Sequence, residues 1–170
     1  MSYTEMMPIR YVESGSADER AKRLLSVWLK RRTPAALTDE LMEHVPQLLL
    51  LSADPPADDS PEILFVGKNT FLGTLLQHQG EDVIPPKYCI DPAFRKQVKS
   101  GYRIAAQGEP VFEIIASPIA VNRHQIYMVY ERLILPWKLS SGLTQLVSYV
   151  IPREIQMHSP PSSQEPKFSC

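Results

Sequence analysis

The chain has 170 residues, with 18 lysines and arginines against 19 aspartates and glutamates, and a formal net charge of −1. This length suits one domain with a real core, and the charge balance leaves no overall basic field to hold nucleic acid or an anionic membrane. Two cysteines make neither a disulfide framework nor a metal cluster, and no apolar run suits a signal peptide or a membrane span. We therefore expect a reduced, cytoplasmic protein.

The N-terminal part is predicted to contain a single amphipathic helix. Residues 1–16 mix charges with few apolar side chains and are expected to be loose, whereas 17–33 form a flanking helix with Ser16 as a possible N-cap. An apolar stripe follows helical spacing on this segment. Two uses of the stripe stay open: it packs on its own domain, or it forms a homodimer interface, with candidate contacts Leu24, Leu25 and Trp28.

The middle of the chain alternates short strands with helices. Strands are predicted over 47–53 and 62–66, and the four leucines at 48–51 suit a strand that is buried on both faces. Short helices are expected over 39–44 and within 67–80, the latter capped by Asn69 or Thr70. The longest internal helix has Asp91 as its N-cap and Pro92 at its first helical position, where a missing N–H costs nothing. Gly108 ends it.

Three apolar, strand-like runs follow, over 111–119, 125–135 and 143–151. Alternate residues of a strand share a face, so Glu131 and Arg132 point to opposite faces of the sheet. Each of these charges lies among apolar neighbours and needs either a partner or a position near water. Beyond residue 152 the chain is rich in proline and serine, and 153–170 are predicted to be a disordered tail.

This order of elements resembles the PAS domain, and more specifically the small single-PAS proteins of alphaproteobacteria. The shared landmarks are Trp28 before a break at Pro34, the leucine strand, the helical segment at 67–80, and the run Tyr-Glu-Arg-Leu-Ile-Leu-Pro that begins at Tyr130. The resemblance implies an α/β (α+β) fold over residues 34–152: a five-stranded antiparallel sheet in the order 2-1-5-4-3, covered by short helices and one longer helix. The second strand lacks the arginine and the Gly-Thr step of many such relatives.

The helical cover and the strand that faces it supply candidate walls for a ligand pocket. Ordinary core packing is the alternative for all of them, and a charge that faces the helices would be the anchor for a polar ligand group. The candidates are Phe71, Leu75, Tyr88, Phe94, Val98, Tyr102, Met128, Tyr130 and Arg132.

Cofactor and enzyme signatures are missing from the sequence. A haem-binding PAS domain commonly carries its axial histidine on the long helix, and residues 92–107 contain no histidine. Cys89 does not lie in the motif of photoactive flavin domains, so haem and a covalent flavin are both disfavoured and the cofactor is left open. The sequence has no nucleophile elbow, no phosphate-binding glycine loop and no His-x-x-x-His pair. We therefore expect no catalysis.

The resemblance implies a sensory or regulatory binding module of bacterial signalling, which acts through a small molecule or a protein partner. Binding would shift a population between two arrangements of the sheet and its helices. Two alternatives stay open: an interaction or scaffold domain without a ligand, and a small enzyme that uses a PAS-like cavity.

Overall fold

The computed structural model describes residues 2–15, 17–30, 39–54, 61–77, 91–121 and 124–158. These residues form an α+β fold with one open, antiparallel, six-stranded sheet. Its strands are β1 (Tyr3–Met7), β2 (Leu48–Ser52), β3 (Ile63–Val66), β4 (Val111–Val121), β5 (His124–Lys138) and β6 (Thr144–His158). The helices are α1 (Arg10–Glu13), α2 (Glu19–Lys30), α3 (Asp39–Met42), α4 (Phe71–Gln77) and α5 (Pro92–Ala106), with a 3₁₀ turn at Val45–Gln47.

The sheet differs from the expected one in strand count and therefore in order. The strands lie side by side as β1-β4-β5-β6-β2-β3, so six strands replace the expected five. The additional strand is β1, which pairs antiparallel with β4 from Tyr3↔Ala116 to Met7↔Phe112. The remaining strands have the neighbours β3-β2-β6-β5-β4. The expectation of five strands failed because β1 is a short edge strand with a charged residue and gives little sequence signal.

Several predicted boundaries also move. Residues 1–16 were expected to be loose, but Tyr3–Met7 form β1 and Arg10–Glu13 form α1. Strand β6 runs on to His158, beyond the expected domain end at 152. The predicted disordered tail therefore begins inside a strand, and its part over 159–170 lies outside the described residues.

Both faces of the sheet are covered, as the apolar character of its strands requires. On one face, α1 and α2 pack through Val12, Leu24 and Leu25 against a layer that includes Leu133 and Leu135. On the other face, α5 packs through three buried residues against strand residues that include Ile115, Ile126 and Ile134; the helix residues are Val98, Tyr102 and Ala105. Strand β5 contributes to both layers because its alternate residues point to opposite faces.

Side chains at the helix starts explain where two of the helices begin. The predicted N-cap of α5 is confirmed, since Asp91 Oδ1 accepts a hydrogen bond of 2.8 Å from the backbone N–H of Ala93. In α2 the capping acceptor is Asp18, which bonds the backbone N–H groups of Arg20 and Ala21. Ser16, the expected cap, lies outside the described residues.

Prolines within the long strands all lie where the strand has a neighbour on one side. Pro118 of β4 lies beyond the last residue paired with β1, and Pro136 of β5 lies beyond the last residue paired with β4. Pro152 of β6 lies beyond the part that pairs with β2. A proline has no N–H to donate to a ladder, so a position with one open side tolerates it.

Candidate functional site

The two adjacent charges of β5 face opposite layers, as the alternation predicts. Arg132 points toward helix α5 and is 2% exposed, while Glu131 points toward the other face and is 5% exposed. Each has a partner on a neighbouring strand. Glu131 accepts a hydrogen bond of 2.6 Å from Arg153 of β6, whose side chain is half exposed. Because Arg132 faces α5, it is the charge on the side of the sheet where the ligand-binding candidates were expected.

Arg132 is held by contacts from both the sheet and the helix. It forms a buried ion pair with Glu113, its directly opposed neighbour on β4, and its Nε donates to Glu113 Oε1 at 2.7 Å. Its guanidinium also donates to the backbone carbonyl of Val98 at 3.1 Å and lies 4.2 Å from the centre of the Tyr102 ring. The arginine therefore joins β4, β5 and α5 at one point.

Glu113 lies directly beneath a glycine of α5, Gly101. A Cβ atom on Gly101 would lie 2.5 Å from Glu113 Oε1 and 2.8 Å from Oε2, which is closer than real Cβ atoms approach. Glu113 Oε2 is itself buried without a hydrogen-bond partner within the described part of the chain. The ion pair is thus closed over by the helix backbone and leaves one carboxylate oxygen unsatisfied, at a cost in free energy.

Burial and neighbouring charge act in opposite directions on this arginine. Burial alone would lower the pKa of Arg132, but Tyr102, Tyr130 and Glu113 around it raise the pKa above its usual value. The guanidinium therefore stays charged in the folded protein. Burial also raises the pKa of Tyr130, so that its phenol stays protonated. This interior combines a fixed cation with the neutral phenol of Tyr130 and has the character of a structural core.

The structure brings most of the described ligand-binding candidates together, in one packed layer. Val98, Tyr102, Met128 and Tyr130 are buried in the apolar cluster beneath α5, next to Arg132. Phe71 and Phe94 are partly buried and pack against the same cluster. The side chain of Leu75 and the whole of Tyr88 lie outside the described residues.

The interface candidates are already covered by their own chain. Leu24, Leu25 and Trp28 are 1%, 2% and 8% exposed and pack onto the sheet. Trp28 Nε1 donates a hydrogen bond of 2.6 Å to the carbonyl of Pro136, 108 residues away. With α2 in this position the stripe has almost no free area for a partner. These contacts fit the alternative in which the stripe packs on its own domain. The homodimer remains a prediction.

An open cleft of about 480 Å³ lies at the end of the sheet where α2, α5 and β5 meet. Trp28, Pro136 and Trp137 are buried and form its floor. Its sides come from residues 106–109 at the end of α5, and from the β5–β6 hairpin, with Lys138, Gly142 and Thr144. None of the ligand-binding candidates contributes to this cleft, although the interface candidate Trp28 does.

Sequence reasoning missed both Glu113 and the cleft. Glu113 is a lone carboxylate inside an apolar strand, and that unusual position was a usable signal, since a buried charge needs a partner. The cleft gave no such signal, because its residues come from three distant parts of the chain. Two exposed charges, Glu109 and Lys138, lie at its rim.

No grouping of histidine, cysteine, aspartate and glutamate within the described ranges could hold a metal ion. Among the helices that the structure describes, none is long and apolar enough to cross a membrane. The fold and site define an α+β protein with an open antiparallel sheet, helices on both faces and a cleft at one end. No family model, curated protein or solved structure matches the chain.

Proposed function

We propose that the chain is a PAS-like regulatory binding module, which responds to a small molecule or a protein partner and has no catalysis of its own. The observation that carries this proposal is the strand order β3-β2-β6-β5-β4, with α5 lying across one face. The PAS resemblance implies the same neighbours, and β1 is then an addition at the edge. A second cover, α2, lies on the opposite face.

Strand β5 connects the two covers. Its Arg132 bonds the Val98 carbonyl of α5, and its Pro136 accepts the indole N–H of Trp28 on α2. A ligand or partner that favours one position of α2 or α5 therefore also acts on β5, which contacts both helices. Such differential binding is what shifts a population between two states. Regulation in this module is a change in how α2 and α5 sit on β5.

The coupling can be tested by hydrogen exchange after a change in α2. Trp28→Phe keeps an aromatic ring but removes the N–H that donates to Pro136. We expect faster amide exchange in α2 and also in α5, because the two helices share β5. Arg23→Ala, an exposed change on the same helix, is the control and should leave α5 unaltered. Faster exchange confined to α2 would contradict a coupled module.

The packed interior supports a second candidate function, an interaction domain that binds no small molecule. Val98, Tyr102 and Tyr130 are buried rather than open. Native mass spectrometry of gently purified protein distinguishes the two versions. A retained small molecule supports the sensing version, and bare protein together with exchange confined to α2 supports a plain interaction domain.

A further inference from the structure

The cleft at the end of the sheet combines an apolar floor with two rim charges of opposite sign. The floor residues Trp28, Pro136 and Trp137 are buried, and each presents part of its surface to the cleft. Glu109 and Lys138 are exposed and lie on different segments. In the part of the chain that the structure describes, the ion pairs are Arg132 with Glu113 and Arg153 with Glu131, so neither rim charge is neutralised.

The two sides of the cleft differ in the charge that they prefer. Residues 106–109 lie at the C-terminal end of α5, where Arg103 in the last turn partly offsets the negative charge of the helix dipole. Glu109 adds a full negative charge to this side, which therefore favours a cation. A different part of the lining, from the β5–β6 hairpin, carries Lys138 and the hydroxyl of Thr144, which suit an anion. A molecule with both charges satisfies both sides, whereas a singly charged one leaves one side unsatisfied.

The mouth of the cleft has room for such a molecule. Gly108 and Gly142 have φ angles of 102° and 87°, and a Cβ atom built on either would meet no heavy atom within 4 Å. Glycine is favoured at these backbone angles and adds no side chain to the mouth at these two positions. The volume of about 480 Å³ lies within the range of small-molecule sites, about 300 to 1,000 Å³.

We infer that this cleft binds a small amphipathic zwitterion, with its apolar or aromatic part on the tryptophan floor, its ammonium group toward Glu109 and its carboxylate toward Lys138. This inference rests on the proposed function, to which it adds the position and chemical class of the ligand. A zwitterion in this place contacts α2, α5 and β5 at once, and so bears on both helices that the proposed regulation involves.

Three probes with the same ring separate the charge contributions: L-phenylalanine, phenethylamine and 3-phenylpropanoate. Both tryptophans of the chain line the cleft, so selectively excited tryptophan fluorescence reports binding directly. We expect saturable binding that is tightest for L-phenylalanine. Because each rim charge is exposed, neutralising one should lower the affinity for the probe of opposite charge by about two- to fivefold.

The variants Glu109→Gln and Lys138→Met should have opposite effects on the two singly charged probes. Glu109→Gln is expected to lower the affinity for phenethylamine and L-phenylalanine and to leave the affinity for 3-phenylpropanoate unchanged. Lys138→Met is expected to lower the affinity for 3-phenylpropanoate and L-phenylalanine and to leave the affinity for phenethylamine unchanged. Lys96→Met, an exposed change nearer the start of α5, is the control.

Two results would overturn the inference: wild-type protein that shows no saturable response to any probe, or a Lys96→Met variant that loses as much affinity as Lys138→Met. Neither result touches the coupling between α2 and α5, which hydrogen exchange of Trp28→Phe measures without any ligand. Failure of the cleft assignment and failure of the regulatory module are therefore distinguishable.

Discussion

Arg132 and Glu113 oppose each other across strands β5 and β4, and helix α5 closes over both side chains. The exposed fractions are 2% for Arg132 and 0% for Glu113. Removing two charges from water costs free energy that can exceed what their attraction returns. The pair is therefore better evidence for the position of α5 on the sheet than for a gain in stability.

Breaking the pair from one side should be far more harmful than replacing it as a whole. Arg132→Met leaves a buried, unpaired carboxylate on Glu113, and we expect a loss of about 3 to 5 kcal/mol in the free energy of unfolding. Replacing both residues with methionine removes both charges, and the double variant should recover most of that loss. Urea unfolding of the two single variants and the double variant gives the coupling energy. A double variant no more stable than Arg132→Met would contradict this account.

Gly101 should resist substitution, although a glycine inside a helix normally costs stability. Gly→Ala in a helix gains about 1 kcal/mol from backbone propensity, but here the added Cβ would lie 2.5 Å from Glu113 Oε1. We expect the overlap to dominate and Gly101→Ala to lose about 1 to 3 kcal/mol, the usual range for overpacking. Ser100→Ala, an exposed neighbour on the same helix, is the control. Urea unfolding in which Gly101→Ala gains stability would show that α5 can move away from the carboxylate.

The Tyr149 phenol should contribute to the alkaline limit of stability. Burial, followed by the charge of Asp18 and the hydrogen bond of 3.1 Å to it, raises the pKa of Tyr149 to about 12. Since its pKa in the unfolded chain is about 10, this contribution is fully present below pH 10 and is lost as the pH rises through 12. Tyr149→Phe should flatten the fall in stability over that window, as measured by urea unfolding at a series of pH values. An unchanged alkaline slope would contradict the assignment.

Asp91 offers a test of how α5 begins. Asp91→Ala removes the side chain that accepts from the Ala93 N–H and should cost about 1 kcal/mol, whereas Asp91→Asn keeps an N-cap oxygen and should be close to neutral. Thermal or urea unfolding of both variants measures the difference. Equal losses would indicate that the negative charge at Asp91, rather than its hydrogen bond, is what matters.

Local rules were enough to predict some of these features. The opposite facing of Glu131 and Arg132 follows from strand alternation, and the cap at Asp91 follows from the Asp-Pro step before a helical stripe. Both depend on neighbours in sequence. The α+β class came from a resemblance between orders of elements, whereas the sheet differs from the expected one in strand count and order.

Other features depend on register and on distant contacts. Glu113 meets Arg132 because the β4–β5 hairpin pairs them residue for residue, and a shift by one position would turn the carboxylate to the other face. The bond from Trp28 to Pro136 joins positions 108 residues apart. The cleft needs three such distant segments at once, and no local pattern of apolar and polar residues encodes their meeting.

The prolines at one-sided positions of the long strands bear on how the protein behaves at high concentration. A sheet whose strands end at different heights exposes stretches of backbone that a strand from another molecule can extend into fibres. Pro118 and Pro152, which are both exposed, each interrupt such a stretch, because a ring nitrogen offers no hydrogen to an incoming strand. The long β4 and β6 strands can therefore project past their neighbours with less risk of polymerisation.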